Sequence, residues 1–476
     1  MTHCAVKRLI KNAGMKKTSL FRQVWHMSAV FFSILSTGML QYPTPQTLRT
    51  EDNNNTSLLG YYSIATVAGT VASSILMDQV GRRLTFILGT LPGILSCITI
   101  AFPDASRVNT IRATLNGLLS GFTVILGTVI ISEYTSPKYR GVFLNLITAS
   151  MNIGTTVGLI LRPNYQILWT ALFLKILSFG ICMTWPESPY WLALKDHEEN
   201  TTGDHNLIFI EGRKELKTTS KNALMKIRNN LTIGMVVNII KKYSSKEFLR
   251  PITVVVFGII LMESSGKNWA PASWIESTKM LRTDYDMHQL NSSIIISFVS
   301  IVALFFVPIL GHRTQLLITG CLSAATLLVT SVCVFLMNNN YVGVKNTWLS
   351  SLCILQLMFS NLGSTSIPLA LIGEVFHMHF KAAGTLLSGV LISVSSLLVI
   401  KSTPYLLSVV HLEGVLIIFA TIMIVSLLVM YVILPETKNK TLSEIENCFS
   451  NCSNENQRYD RELQFIVNRE AKIPFL

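Results

Sequence analysis

The chain has 476 residues, of which 50% are hydrophobic and only 14% charged, and its mean hydropathy is +0.47. Ordinary soluble domains carry about 25% charged residues, so no large water-facing surface can be clothed here, and a cytosolic enzyme is excluded. The net charge of +13 would suggest nucleic acid in a soluble protein, but in so apolar a chain the placement of Lys and Arg matters more than their sum, and the partner expected is a lipid bilayer, with no nucleic acid.

A spanning helix needs about 20 mostly apolar residues and tolerates few charges. Residues 1–23 are basic and lack the short apolar core and small-residue cleavage site of a signal peptide, so span one is expected to act as an uncleaved insertion signal. Stretches free of Asp, Glu, Lys and Arg at 23–48, 53–77, 84–103, 113–132 and 141–161 predict five spans, and a sixth lies within 165–186, interrupted by Lys175. A polar insert follows. The seventh span, within 251–275, carries Glu263 and Lys267, and stretches at 287–312, 314–344, 346–373, 382–400 and 414–435 complete the pattern. The reading is an all-α membrane protein of twelve transmembrane helices in two six-helix bundles, 24–186 and 251–434. Residues 1–23 and 435–476 form cytoplasmic tails. The linker 187–250 holds a basic stretch that suits either short amphipathic helices on the inner membrane face or a solvated connection.

With both termini inside, 29 of the 39 Lys and Arg residues fall on the cytoplasmic side, and the opposite orientation would put them outside. A multi-pass plasma-membrane protein is expected. The sequons at Asn54 and Asn55 then lie in the first outer loop and that at Asn291 is also outside, so these are the candidate glycosylation sites. The eight cysteines are expected to be free thiols, and Cys448 with Cys452 lacks companions at metal spacing, so no metal or other cofactor is implied.

The two halves repeat one another. In the first, DQVGRR (78–83) follows span two, EYTSPKYRG (133–141) follows span four and PESPYW (186–191) follows span six; in the second, GHR (311–313), EVFHMHFKAAG (374–384) and PETKNKT (435–441) take the same places. Two fused six-span halves with a site between them are a transporter plan. Asp78, Arg82, Arg83, Glu133, Arg140 and Glu187, with Arg313, Glu374, Lys381 and Glu436 in the second half, stand where helices leave the inner leaflet and water competes less for charge pairs. They are read as a clasp that closes the inner gate. The second clasp has His312 in place of an arginine and is expected to be the weaker, since a neutral imidazole cannot replace a guanidinium. Charge reversal at Glu133 or Arg140 is expected to disrupt transport while leaving folded protein.

On these motifs the chain resembles the sugar porters of the major facilitator superfamily, in particular insect facilitated trehalose transporters and glucose transporters, over about residues 24–445. The resemblance implies alternating access by rocking of two bundles, an intracellular helical bundle within 190–250, and no catalytic residues. Its substrate motifs are altered. Where the family has a GlnGln pair on span seven, Met262 and Glu263 stand here, followed by Gly266 and Asn268; its Gly- and Pro-rich span ten with a Trp reads Gly363, Ser364, Thr365, Ser366, Ile367, Pro368, Leu369; and its span-eleven Asn and Trp are Ile392 and Ser393.

Sugar sites pair amides with hydroxyls and lay an aromatic face on the ring. The candidate binding residues that remain are Asn268, Glu263, Thr148, Asn152, Asn361 and Thr365, each of which also suits a plain interhelical hydrogen bond. Glu263 and Lys267, four apart, share one helix face, so they either satisfy each other or present Glu263 to substrate hydroxyls. Proton-driven relatives place an acid on span one and an Arg on span four. Those places hold Ser36 and Ala113 here, with Arg112 turned aside, which implies downhill transport without proton coupling. The leading reading is a facilitative transporter of a small neutral solute, a sugar such as a hexose or trehalose. The alternatives are a non-transporting sensor or scaffold of the same fold and a transporter of a non-sugar solute.

Overall fold

The structure, a computed structural model, describes residues 20–41, 53–100, 102, 106–161, 166–188, 191, 246–266, 285–339, 346–376, 381–438, 440 and 445. Among these residues every regular element is helical. The first half contributes α1 (Leu20–Gln41), α2 (Asn53–Gln79), α3 (Arg82–Ile100), α4 (Ser106–Tyr134), α5 (Pro137–Leu161) and α6 (Gln166–Met183). The second contributes α7 (Lys246–Ser264), α8 (Tyr285–Leu310), α9 (His312–Asn338), α10 (Asn346–Phe359), α11 (Ser366–Glu374) and α12 (Lys381–Ile433).

Two departures from regular helix matter. A single π turn, Ser360–Ser364, joins α10 to α11 inside predicted span ten. The 53-residue α12 is bent at His411, whose φ is 57°, so its two arms take up the predicted spans 382–400 and 414–435. Seven helices among the described residues, α4, α5, α6, α8, α9, α10 with α11, and α12, are long and apolar enough to cross a membrane by length and composition.

Packing follows the halves. In the first, α2 lies on α4, and α1 on α5 and α6; in the second, α12 lies on α7 and α9. The halves meet along α5 against α8, along α2 against α12, and where α11 reaches α4 and α5. Helices surrounded by apolar lipid gain little from burying apolar surface, so close approach depends on small residues. Gly154 and Gly158 of α5 meet α1 so closely that a Cβ at either would run into the carbonyl oxygen of Leu35 or Met39. Apolar side chains such as Phe305, Ile309, Phe173 and Val432 are exposed on the outer surface, where a lipid-facing bundle needs them.

Lys175, which broke the predicted sixth span, is fully buried inside the first half. Its Nζ donates to the Ser33 carbonyl and Oγ, each at 2.9 Å, and to Thr37 Oγ1 at 3.2 Å. Three oxygen acceptors from α1 thus satisfy an ammonium that has three donors. Asn54 and Asn55, expected in the first outer loop, belong to the first turn of α2, and Asn291 lies within α8, exposed. Cys97, Cys182, Cys321, Cys333 and Cys353 are free thiols. Lys267, Asn268, Cys4, Cys448, Cys452 and most of the 187–250 linker lie outside the described residues.

Candidate functional site: two clasps and a polar seam

Each clasp begins with a glycine that turns the chain from one helix into the next. Gly81 has φ 103° and Gly311 φ 81°, a region that side-chain-bearing residues rarely adopt. A Cβ at either would also lie 2.8 Å from the carboxyl carbon of Glu187 or Glu436. The bare turn lets these glutamates approach the helix that follows. Glu187 accepts from the backbone N–H of Arg82 at 2.7 Å and of Arg83 at 3.2 Å, and Glu436 accepts from that of His312 at 3.2 Å. Both carboxylates cap helix N-termini, where unpaired N–H groups and the helix dipole favour negative charge. The exit-motif acids therefore hold backbone N–H groups.

The buried acids come next. Glu133, at the end of α4, takes a two-pronged contact from Arg82, Nε to Oε2 and Nη2 to Oε1, both at 3.1 Å. It also accepts from Ser188 Oγ at 2.6 Å, and Lys381 of the second half approaches its Oε1 at 3.7 Å while donating to Ser132 Oγ at 2.7 Å. In the second half His312 Nδ1 lies 3.3 Å from Glu374 Oε2 and 3.0 Å from Thr437 Oγ1. His312 thus occupies the place of Arg82 and keeps a contact with the acid. Arg140 of the first half is buried, with its Nη1 3.5 Å from the Lys440 carbonyl. The second half therefore sends a cation, Lys381, toward the buried acid of the first.

Three predicted clasp residues sit at the margin. Arg83 donates to the Met183 carbonyl at 2.6 Å and Arg313 to that of Tyr431 at 2.8 Å, so both cap the ends of neighbouring helices. Asp78 is 59% exposed and 4.0 Å from Arg82, so water screens most of that attraction.

Away from the clasps, Asn152 lies midway along α5 and bridges the halves. Its Nδ2 donates to Ser300 Oγ of α8 at 2.6 Å and to Asn361 Oδ1 of the π turn at 3.2 Å. Thr365 Oγ1 is 3.4 Å from the same Oδ1, so the structure brings Asn152, Asn361 and Thr365 together. Below them Ser297 Oγ donates to the Asn152 carbonyl at 2.9 Å, and Thr156 Oγ1 meets Ser297 Oγ at 2.7 Å. The π turn frees backbone groups, and Gln315 of α9 donates to the Leu362 carbonyl at 2.6 Å.

The other candidates are more scattered. Glu263 is buried on α7 and accepts from Ser396 Oγ of α12 at 2.7 Å, while its proposed partner Lys267 is not among the described residues. Gln356 Nε2 closes the end of α7 on the Ser265 carbonyl at 2.5 Å. Thr148 Oγ1 is buried without a hydrogen-bond partner among the described residues. Ser36 donates to the Ala171 carbonyl at 3.0 Å, and Arg112 is spent on Thr99 and Asn109.

Ser300, Ser297, Thr156, Ser396 and Gln315 were not among the residues singled out from the sequence. A signal existed for the first three. Ser293, Ser297 and Ser300 share one face of α8 by helical spacing, as Asn152 and Thr156 do on α5.

The profile of the family described as "Sugar (and other) transporter" matches residues 10–449. The chain belongs to this family; it is a multi-pass membrane transporter of the major facilitator fold, and its relatives are transporters, not enzymes. It is 24% identical over 406 residues to the facilitated trehalose transporter Tret1 of Bombyx mori, covering 81% of this chain and 77% of that one. It is 22% identical over 459 residues to the probable polyol transporter 4 of Arabidopsis thaliana, covering 89% and 85%. Among solved structures it resembles the proton:xylose symporter XylE bound to 6-bromo-6-deoxy-D-glucose, with a TM-score of 0.65 at 16% identity over 90% of this chain and 98% of that one. The inward-open conformation of XylE from E. coli gives a TM-score of 0.56 at 15% identity over 90% and 98%.

Proposed function

We propose that the protein carries a small neutral polyhydroxylated solute, a hexose or trehalose, down its gradient across the plasma membrane by alternating access between its two halves. The observation that carries this reading is the Asn152–Ser300–Asn361 bridge. It puts carboxamides and hydroxyls, which both donate and accept, on both sides of the seam between halves. A hydroxylated solute at that seam can replace the bridge's own hydrogen bonds with equivalent ones, so binding and release need not strand buried polar groups. Asn152, Asn361, Thr365, Thr148, Glu263 and Asn268 are assigned to the solute. Asp78, Arg82, Arg83, Glu133, Arg140, Glu187, Arg313, Glu374, Lys381 and Glu436 are assigned to the gate, Glu133 bearing cross-half charge and Glu187 and Glu436 holding the helix starts. The clasps lie on the cytoplasmic side, as the distribution of basic residues supports. Ser36 and Ala113, in the places used for proton coupling, support facilitation.

The relatives named for trehalose and polyol transport support the class of solute. The test is tracer uptake by purified protein in liposomes against trehalose, glucose, xylose and a polyol. At least one should show saturable, stereoselective uptake that an imposed pH gradient does not drive above equilibrium. Asn152→Ala should raise its half-saturation about tenfold, the value of a hydrogen bond lost to the solute. No saturable uptake of any of the four, beside an active control transporter, would overturn the reading.

A further inference from the structure

Between the Asn152 seam and the clasps lies a layer of polar atoms that neither uses. Gly141 of α5 packs on His312 at the start of α9, so depth can be counted along both helices from that contact. At about 1.5 Å per residue, Gln315 stands about 4.5 Å on, Asn145 about 6 Å, Thr148 about 10.5 Å and Asn152 about 16.5 Å. Asn145, Thr148 and Asn152 follow one another at spacings of three and four, so they share one face of α5. That face meets the second half through Ser300 and Asn361.

Each intermediate level holds an oxygen without a partner. Asn145 is 2% exposed, and its Nδ2 donates to the Gly141 carbonyl at 2.9 Å, which orients the amide. Its Oδ1 is buried with no hydrogen-bond partner among the described residues. Gln315, 1% exposed, repeats the pattern from the other half: Nε2 donates to the Leu362 carbonyl of the π turn, and Oε1 is buried with no partner among the described residues. Thr148 Oγ1 is the third such atom. A buried acceptor left unpaired is costly, so three of them at one interface call for a source of donors.

The class of donor follows from the spacing. Asn145 and Asn152 are seven residues apart, about 10.5 Å along α5. One pyranose ring is too short to touch both, whereas two linked rings reach from one to the other. Sugar hydroxyls donate as well as accept, so a second ring brings the protons that Asn145 and Gln315 lack. The layer is shut in this structure, with Asn145 Nδ2 3.5 Å from His312 Nε2, and it opens when the clasps part.

We propose that Asn145 and Gln315 form a second subsite, inward of the Asn152 seam, which takes the second ring of a disaccharide as the inner clasps open. The subsite makes disaccharides the preferred solutes over hexoses. Its occupation favours the inward-open state, because the ring's hydrogen bonds exist there and not in the closed arrangement. The inference rests on the reading of the Asn152 seam as the solute site and narrows that solute from sugars in general to two-ring sugars.

The test is calorimetric titration of full-length protein in lipid nanodiscs with trehalose, maltose and glucose. At least one disaccharide should bind about tenfold more tightly than glucose, the value of one further hydrogen bond. Asn145→Leu keeps the volume and removes the acceptor. It should bring that disaccharide to the level of glucose, while glucose affinity moves by less than about twofold. Asn145→Ser, whose short hydroxyl turns back to the Gly141 carbonyl, should lose the preference likewise and serves if the leucine variant does not fold.

A purely structural role for Asn145 would shift both sugars together. Equal shifts, a preference that survives both substitutions, or wild-type protein that binds neither disaccharide more tightly than glucose would each overturn the proposal. Binding of glucose without a preference for disaccharide removes the second subsite alone and leaves the sugar reading standing. Absence of binding by all three removes both.

Discussion

The two clasps share one backbone plan and differ in the chemistry placed on it. In both, a glycine with positive φ opens the turn, a glutamate from the helix exit caps the next helix, and an arginine caps a neighbouring helix end. At the buried acid they part. Glu133 is held by a forked guanidinium and by a lysine from the other half, whereas Glu374 has an imidazole nitrogen 3.3 Å away. Helix-end capping depends on backbone N–H groups that any sequence presents, so that part of the design is common to both halves. The charge at the acid depends on one side chain, an obligate cation in the first clasp and an imidazole in the second.

The largest expected effect tests that asymmetry directly. Glu133→Gln leaves Arg82 and Lys381 buried without their carboxylate, which should cost about 3–5 kcal/mol, visible as a large fall in thermal stability and loss of uptake. Glu374→Gln should cost less, about 1–3 kcal/mol, because its neighbour His312 is an imidazole and not an obligate cation, and Arg140 keeps the Lys440 carbonyl. Equal losses, or a greater loss at Glu374, would show that the clasps are equivalent and the comparison mistaken.

Gly81→Ala and Gly311→Ala probe what the clasps share. Each forces a side chain into left-handed backbone and against a glutamate, so each should cost about 1–2 kcal/mol, and by similar amounts. Unequal shifts in melting temperature would mean that one turn relaxes where the other cannot.

The seam between the clasps serves as the contrast, because changes there should move apparent affinity more than gating. Gln315→Leu strands the Leu362 carbonyl at the π turn and should cost about 1 kcal/mol. It should also raise the half-saturation for the transported solute a few-fold by displacing Asn361, with Gln315→Asn recovering little because its amide is one methylene shorter. The smallest effect is expected of Thr148→Val. A buried hydroxyl without a partner can be replaced by a methyl at near-zero cost, within about 0.5 kcal/mol, so a change in half-saturation without a change in melting temperature would place Thr148 against the solute.

The sequence by itself determined the apolar helices, the repeat and the motif residues at helix ends. Those are local: a run without charges is helical in lipid wherever it stands, since every backbone polar group must find its partner inside the segment. Glycine, acid and base at one spacing from a helix end likewise mark a turn before anything packs on it. The sequence also marked Asn152, Asn361 and Thr365 as polar residues worth attention, but not that they meet. Their meeting depends on α5 lying against α8 and on the π turn rotating Asn361 toward the seam, and both are set by packing between halves remote in the chain.

For the same reason Lys175 read as a break in a span until α1 supplied Ser33 and Thr37 as its acceptors. Glu187 and Glu436 read as members of a charge clasp, and the folded turn placed backbone N–H groups within their reach. Only the tertiary structure put His312 beside Glu374 on one side and Asn145 on the other. A composition of helices names the parts of a transporter, while which charge faces which across the seam is decided by three-dimensional proximity, because electrostatic and hydrogen-bond energies fall within a few ångströms.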